Sequence, residues 1–158
     1  MNLSEHRYTV SLEWTGNRGS GTSTYRGYGR DHIIRASGLP DLAGTADPTF
    51  HGDPDRWNPE QLLLTALSQC HMLSYLHVAV KHGITVVAYT DDAEGTLRLN
   101  RDGSGEFTGA VLRPRVTVAV ADSAHAAQEL HAEANRLCFI ARSVNFPVLH
   151  EPETTVAT

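Results

Sequence analysis

The stretch from residue 58 to 83 constrains this chain more than any other. Asn58-Pro59-Glu60 is a helix start. Asparagine caps the first turn, proline gives up an N–H that would have no partner there, and glutamate meets the positive end of the helix dipole. Leu62, Leu63, Ala66, Leu67, Cys70, Leu73, Leu76 and Val80 then recur at helical spacing, with Leu64, Met72 and Val78 widening the stripe. Gly83 ends the run. The pattern predicts a largely buried helix over residues 58–82. At 158 residues the chain has one ordinary domain's length, residues 1–158, enough to bury such a helix without metal or disulfide support.

The remaining sequence reads mainly as strands. Residues 1–37 are an N-terminal β segment: Tyr8, Val10, Leu12 and Trp14 alternate with polar residues, and Gly21 to Tyr25 resumes the pattern. The two are expected to form a hairpin whose loop, Thr15 to Ser20, carries Arg18, with a further extended segment over His32 to Ala36. Residues 38–57, rich in Gly, Pro and Asp, are expected to be a long surface loop. Residues 84–120 read as a β-hairpin: a strand from Ile84 through a bend to Leu99, a turn at 100–105, and a long strand from Phe107 to Val120 with Pro114 as an edge or bulge signal. Residues 122–158 hold a second helix, capped by Asp122-Ser123 and carrying Cys138 near its end, then a short C-terminal strand after Pro147. Strands and helices come in groups, so the expected class is α+β: an antiparallel sheet around a long buried central helix with the first cysteine, and a second helix with the second cysteine.

Composition removes several function classes. Thirteen Lys+Arg against eighteen Asp+Glu give a net charge of −5, which disfavours nucleic acid and anionic membrane surfaces as partners. No unbroken apolar run reaches the roughly 18 to 20 residues of a membrane span. The N-terminal residues lack the basic-then-apolar order of a secretion signal, so the expected location is cytoplasmic. Two cysteines are too few for a secreted disulfide framework, and Cys70 and Cys138 are too far apart for a Cys-x-x-Cys motif.

Each cysteine is readable as a small apolar core residue or as a reactive thiol. Arg18 in its glycine-flanked loop, and Glu60 ten residues before Cys70, supply a cation and a carboxylate. An arginine beside a thiol favours the nucleophilic thiolate, and a carboxylate paired with that arginine would orient it. Taken singly, Arg18 reads equally as a solvated loop cation and Glu60 as a first-turn acid. Among nine histidines, His77 and His131 each lie seven residues from a cysteine, about 10 Å along a helix and too far to share a metal with it. A zinc site on Cys70, Cys138 and His71 is the remaining metal arrangement, whereas His71 alone reads as a helix-surface or interface residue. Trp14 and Trp57 read as core and loop anchors.

Three segments together resemble the osmotically inducible protein C and organic hydroperoxide resistance (OsmC/Ohr) family. They are Arg18-Gly19-Ser20-Gly21-Thr22, Asn58-Pro59-Glu60-Gln61-Leu62 leading to Ala66-Leu67-Ser68-Gln69-Cys70, and Ala134-Asn135-Arg136-Leu137-Cys138. His71 after Cys70, and Leu63-Leu64-Thr65-Ala66-Leu67, depart from the dedicated Ohr enzymes and place the resemblance nearer the OsmC-like branch. The resemblance implies an intertwined homodimer and a stress-response peroxidase that needs no metal and no cofactor. It makes Cys70 the peroxidatic thiol, Cys138 the resolving thiol, and Arg18 and Glu60 the activating pair. Organic hydroperoxides would be reduced to alcohols through a Cys70 sulfenic acid that Cys138 resolves to a disulfide. A dithiol, either a lipoyl-bearing protein or a small molecule, would restore the thiols. Leu67, Met72 and Phe139 favour apolar hydroperoxides over H2O2. The alternative is an OsmC-like dimer that binds an apolar ligand or senses redox state with little turnover.

Overall fold

The structure, a computed structural model, describes residues 4–158; residues 1–3 of the expected N-terminal β segment lie outside it. The chain divides into two compact units, one ending at Leu62 and the other running from Leu63 to Thr158.

The N-terminal unit is built on an antiparallel sheet in the order β1 (Ser11–Trp14), β2 (His32–Arg35), β3 (Leu42–Gly44). The partner of β1 is therefore β2, with Trp14 opposite His32, and not Gly21 to Tyr25, which forms turns. That corrects the expected hairpin. The local pattern of residues 21–25 suits a strand, but the backbone there is taken up by turn hydrogen bonds, Ser23 N–H to Ser20 and Gly27 N–H to Thr24. The segment 38–57 is more ordered than a plain loop. It contains β3 and a 3₁₀ turn, Pro48–Phe50, started by Asp47, whose carboxylate accepts the Thr49 N–H at 2.7 Å. Trp57 anchors its end through backbone hydrogen bonds with Ala43 and Thr45. Trp14 is no core residue; it is partly exposed and donates its indole N–H to Gly29 at 2.8 Å.

Helix α1 spans Pro59–Lys81. Its start is a reciprocal cap: Asn58 Oδ1 accepts the Gln61 N–H at 2.8 Å, and Gln61 Oε1 accepts the Asn58 N–H at 3.1 Å. Its end is a Schellman turn at Gly83, φ 68°, where Gly83 and Ile84 donate back to Val80 and Ala79. Both ends lie where the sequence places them, because both are set by side chains and a glycine within a few residues.

In the C-terminal unit, α1 and α2 (Ala124–Leu137) share a core with one face of a three-stranded sheet ordered β4 (Val86–Asp91), β7 (Pro114–Val118), β9 (Glu153–Val156). Tyr75, Val78 and Ala79 of α1 meet Val116 and Val118 of β7 and Ala127, Leu130 and Ala134 of α2. A second sheet is ordered β5 (Glu94–Leu99), β6 (Gly105–Leu112), β8 (Val148–His150). The expected 84–120 hairpin is thus split between two sheets, β4 pairing with β7 and β5 with β6. Pro114, which has no N–H for a ladder, sits at the break. The C-terminal strand is two strands, and both pair in parallel, β8 on β6 and β9 on β7. The α+β class stands, but these two sheets are mixed rather than antiparallel.

The burial of α1 also differs from expectation. Its buried residues are Leu67, His71, Tyr75, Val78 and Ala79, whereas Leu73 and Val80 are 60% and 76% exposed. Apolar side chains surround so much of this helix that periodicity does not single out a face. The face is chosen by what α2 and β7 bring against it. By length and composition α1 is long enough and apolar enough to cross a membrane, although no unbroken apolar run foretells it.

Candidate active site

Cys70 lies half-buried in the middle of α1, and Cys138 is the residue at which α2 ends. Cys138 turns extended (φ −71°, ψ 112°), so the chain leaves the helix there and enters a 3₁₀ turn, Ala141–Ser143. Its sulfur accepts the Ala141 N–H at 3.4 Å, and the residue is 1% exposed. The fold brings the two cysteines, 68 positions apart in sequence, close enough to interact as thiols, and both are free. Burial pushes the Cys138 thiol up to about 11; backbone N–H groups of Ala141 and Ile140 oppose that rise, and Cys70 adds to it. At neutral pH Cys138 is a protonated thiol.

Arg18 and Glu60 belong to the N-terminal unit. Arg18 is exposed in a loop shaped by Asn17, whose side-chain oxygen accepts the N–H groups of Gly19 and Gly21 at 2.9 and 3.0 Å. Gly19, at φ 109°, takes a backbone conformation that other residues rarely adopt. Glu60 is in the first turn of α1, as its helix-dipole role requires. Among the described residues Arg18 and Glu60 form no ion pair with each other.

The sequence misplaces His71. It is fully buried rather than at a surface, and its Nε2 is 3.0 Å from Nδ1 of His131. The His150 ring lies 4.2 Å from that of His71, and the Tyr75 ring stacks on His131 at 4.2 Å. Burial, helped by the neighbouring imidazoles, lowers His71 to about 3 and His131 to about 4, so both rings are neutral. His71 shares one helical face with Leu67, Tyr75 and Val78, but apolar residues on the other faces keep that spacing from marking it in the sequence. Nothing local marks His150. Among the described residues no three His, Cys, Asp or Glu side chains are grouped to hold a metal ion, so the set Cys70, Cys138 and His71 is not assembled as a zinc site.

A family model described as OsmC-like protein matches residues 52–153. An OsmC-like protein of unknown function from Vibrio cholerae is 30% identical, with a TM-score of 0.82, over 94% of this chain and 100% of its own. An organic hydroperoxide resistance protein OsmC from Legionella pneumophila is 17% identical (TM-score 0.69, 95% and 97% covered). The organic hydroperoxide resistance protein OhrB of Bacillus subtilis is 21% identical (TM-score 0.64, 94% and 98%). These two share the fold. No curated protein matches the chain.

Proposed function

The chain belongs to the OsmC-like protein family, and from that premise we propose that it is a cysteine-based peroxidase that reduces organic hydroperoxides to alcohols. The observation that carries this reading is the meeting of Cys70 and Cys138, both free, from two different helices. The more accessible thiol is the one that must meet a substrate, and that is Cys70.

In the reaction the Cys70 thiolate attacks the terminal oxygen of the hydroperoxide. The O–O bond breaks, the alkoxide takes a proton and leaves as alcohol, and Cys70 becomes a sulfenic acid. Cys138 attacks that sulfur, the S–S bond forms and water departs. A dithiol, lipoyl-bearing or small, then returns both thiols by exchange. The high pKa of Cys138 suits the resolving role, since a protonated thiol waits until the sulfenic acid beside it is formed. Arg18 is assigned to stabilising the attacking sulfur and the departing oxygen, and Glu60 to orienting Arg18. Phe139, 79% exposed beside Cys138, offers an apolar tail a surface that H2O2 would not use.

The protein acts in the cytoplasm as a homodimer. Leu73 and Val80 on α1 form an apolar face that a single chain leaves open, and Tyr8, Val10 and Leu12 are likewise exposed. The second copy of the chain is the occupant that the family resemblance favours.

The test is the intact mass of reduced protein before and after one equivalent of cumene hydroperoxide, repeated with H2O2 and with Cys70→Ser. A loss of two hydrogens that needs Cys70 and is faster with the organic peroxide supports the peroxidase. An unchanged mass overturns it and favours the ligand-binding or redox-sensing reading.

A further inference from the structure

Each helix that carries a cysteine also carries a buried histidine, and the structure pairs like with like: Cys70 with Cys138, and His71 with His131. On α1 the histidine is the next residue, so fixing its ring fixes the axial position of Cys70 to within about 1.5 Å, one residue's rise. On α2 His131 precedes Cys138 by seven residues, two turns that return to almost the same face. A contact that fixes the rotation of α2 at His131 therefore also aims Cys138 at α1.

We propose that His71 and His131 are positioning residues for the Cys70 and Cys138 pair, their hydrogen bond setting the register of α1 against α2 at which the two sulfurs can bond. The inference rests on the reading of the cysteines as a redox couple. Each ring is held from its other side, His71 by the His150 ring and His131 by the Tyr75 ring. Tyr75 is itself tied by its hydroxyl to the Ala127 carbonyl at 2.9 Å. The rings are thus clamped in one direction. Both are buried and neutral, so the bond persists through the range in which thiols exchange.

Stability alone does not account for this pair. Among the described residues His71 Nδ1, His131 Nε2 and His150 Nε2 are buried with no hydrogen-bond partner, and apolar side chains of similar shape would leave no such atoms. What apolar packing does not supply is direction. Among the described residues the other side-chain ties between α1, or the residue that follows it, and α2 are the buried Tyr75 hydroxyl to the Ala127 carbonyl, which belongs to the same clamp, and His82 and Lys81 to Glu133, which lie at the far end of α1 near solvent.

The test is the equilibrium of the Cys70–Cys138 disulfide in dithiothreitol redox buffers, read by alkylation and mass, with urea unfolding measured on the same proteins. His71→Leu and His131→Leu are expected to lower the effective concentration of the two thiols about tenfold or more, about 30 mV for a two-electron couple. His71→Gln and His131→Asn return a polar atom to the place of Nε2 and Nδ1 respectively, and are expected to stay within about threefold of wild type. The double leucine variant should show the same loss even where its urea midpoint is unchanged or higher. Folded leucine variants with the wild-type potential overturn the proposal. Should the leucine variants not fold, His71→Asn and His131→Gln, with the amide displaced by one methylene, replace them in the comparison. The buffers contain no hydroperoxide. A wild type that forms the disulfide there, but not with hydroperoxide, removes the peroxidase reading and leaves the positioning role standing on the variant series. A wild type that forms it in no buffer overturns the positioning role itself.

Discussion

Ser68 on α1 donates its hydroxyl to Asp91 Oδ2 at 2.5 Å, while Asp91 Oδ1 accepts the backbone N–H of Arg113 at 2.7 Å. One carboxylate at the end of β4 thus ties the cysteine-bearing helix to the residue between β6 and β7. Asp91→Ala leaves both donors without their acceptor and is expected to destabilise the fold by about 2–4 kcal/mol, read as a lower urea midpoint. Asp91→Asn keeps one acceptor oxygen and should lose less. An alanine variant as stable as wild type would remove this tie from the account.

Stability should fall as the medium is acidified below pH 6.5. An unfolded histidine takes a proton near that value, whereas burial holds His71 at about 3 and His131 at about 4. Between these limits the unfolded chain binds more protons, so stability is fully present above about pH 6.5 and is lost as the pH falls toward the folded values. Each histidine contributes at most about 2 kcal/mol of loss between pH 6.5 and 5. Urea midpoints at the two pH values measure it, and the His71→Leu, His131→Leu double variant should show a shallower decline. An equal slope in the two proteins would contradict the neutral buried pair.

Alkylation of the reduced native protein at neutral pH should modify Cys70 well before Cys138. Cys138 is almost fully buried and its thiol is pushed up to about 11, so little thiolate is present to react. Peptide mass after brief iodoacetamide treatment reads the order, and denatured protein, in which the two should react alike, is the control. Faster labelling of Cys138 would count against its assignment as the resolving thiol.

Leu73→Glu and Val80→Glu place a charge on the open apolar face of α1. In a single chain that face meets little, so monomer stability should change by less than about 1 kcal/mol. In the proposed homodimer each charge would be buried, and sedimentation should report a shift from dimer to monomer at micromolar concentration. Wild-type protein that sediments as a monomer would refute the dimer.

What the residues reveal on their own follows the range of the forces involved. Asn58, Gln61 and Gly83 act on backbone groups within a few positions, so both ends of α1 are legible in the sequence. Alternation in β7, with Pro114, Val116 and Val118 inward, is equally local. The two cysteines on two helices are visible too, and the Arg18 loop, the Asn58-Pro59-Glu60 start ten residues before Cys70 and the second cysteine together carry the family resemblance.

The tertiary structure decided which partner each of these elements takes. β1 pairs with β2 instead of the nearer candidate strand, the long hairpin divides between two sheets, and the last two strands run parallel to their neighbours. It also chose the buried face of α1, where apolar residues lie on every side of the helix and periodicity has no single stripe to select. His71 meets His131 across 60 positions and Cys70 meets Cys138 across 68, contacts that exist only once α1 and α2 are packed. Local sequence sets caps, periods and chemical type through short-range hydrogen bonds and sterics. Which side chains face one another depends on burial summed over the whole unit, and no segment contains that sum by itself.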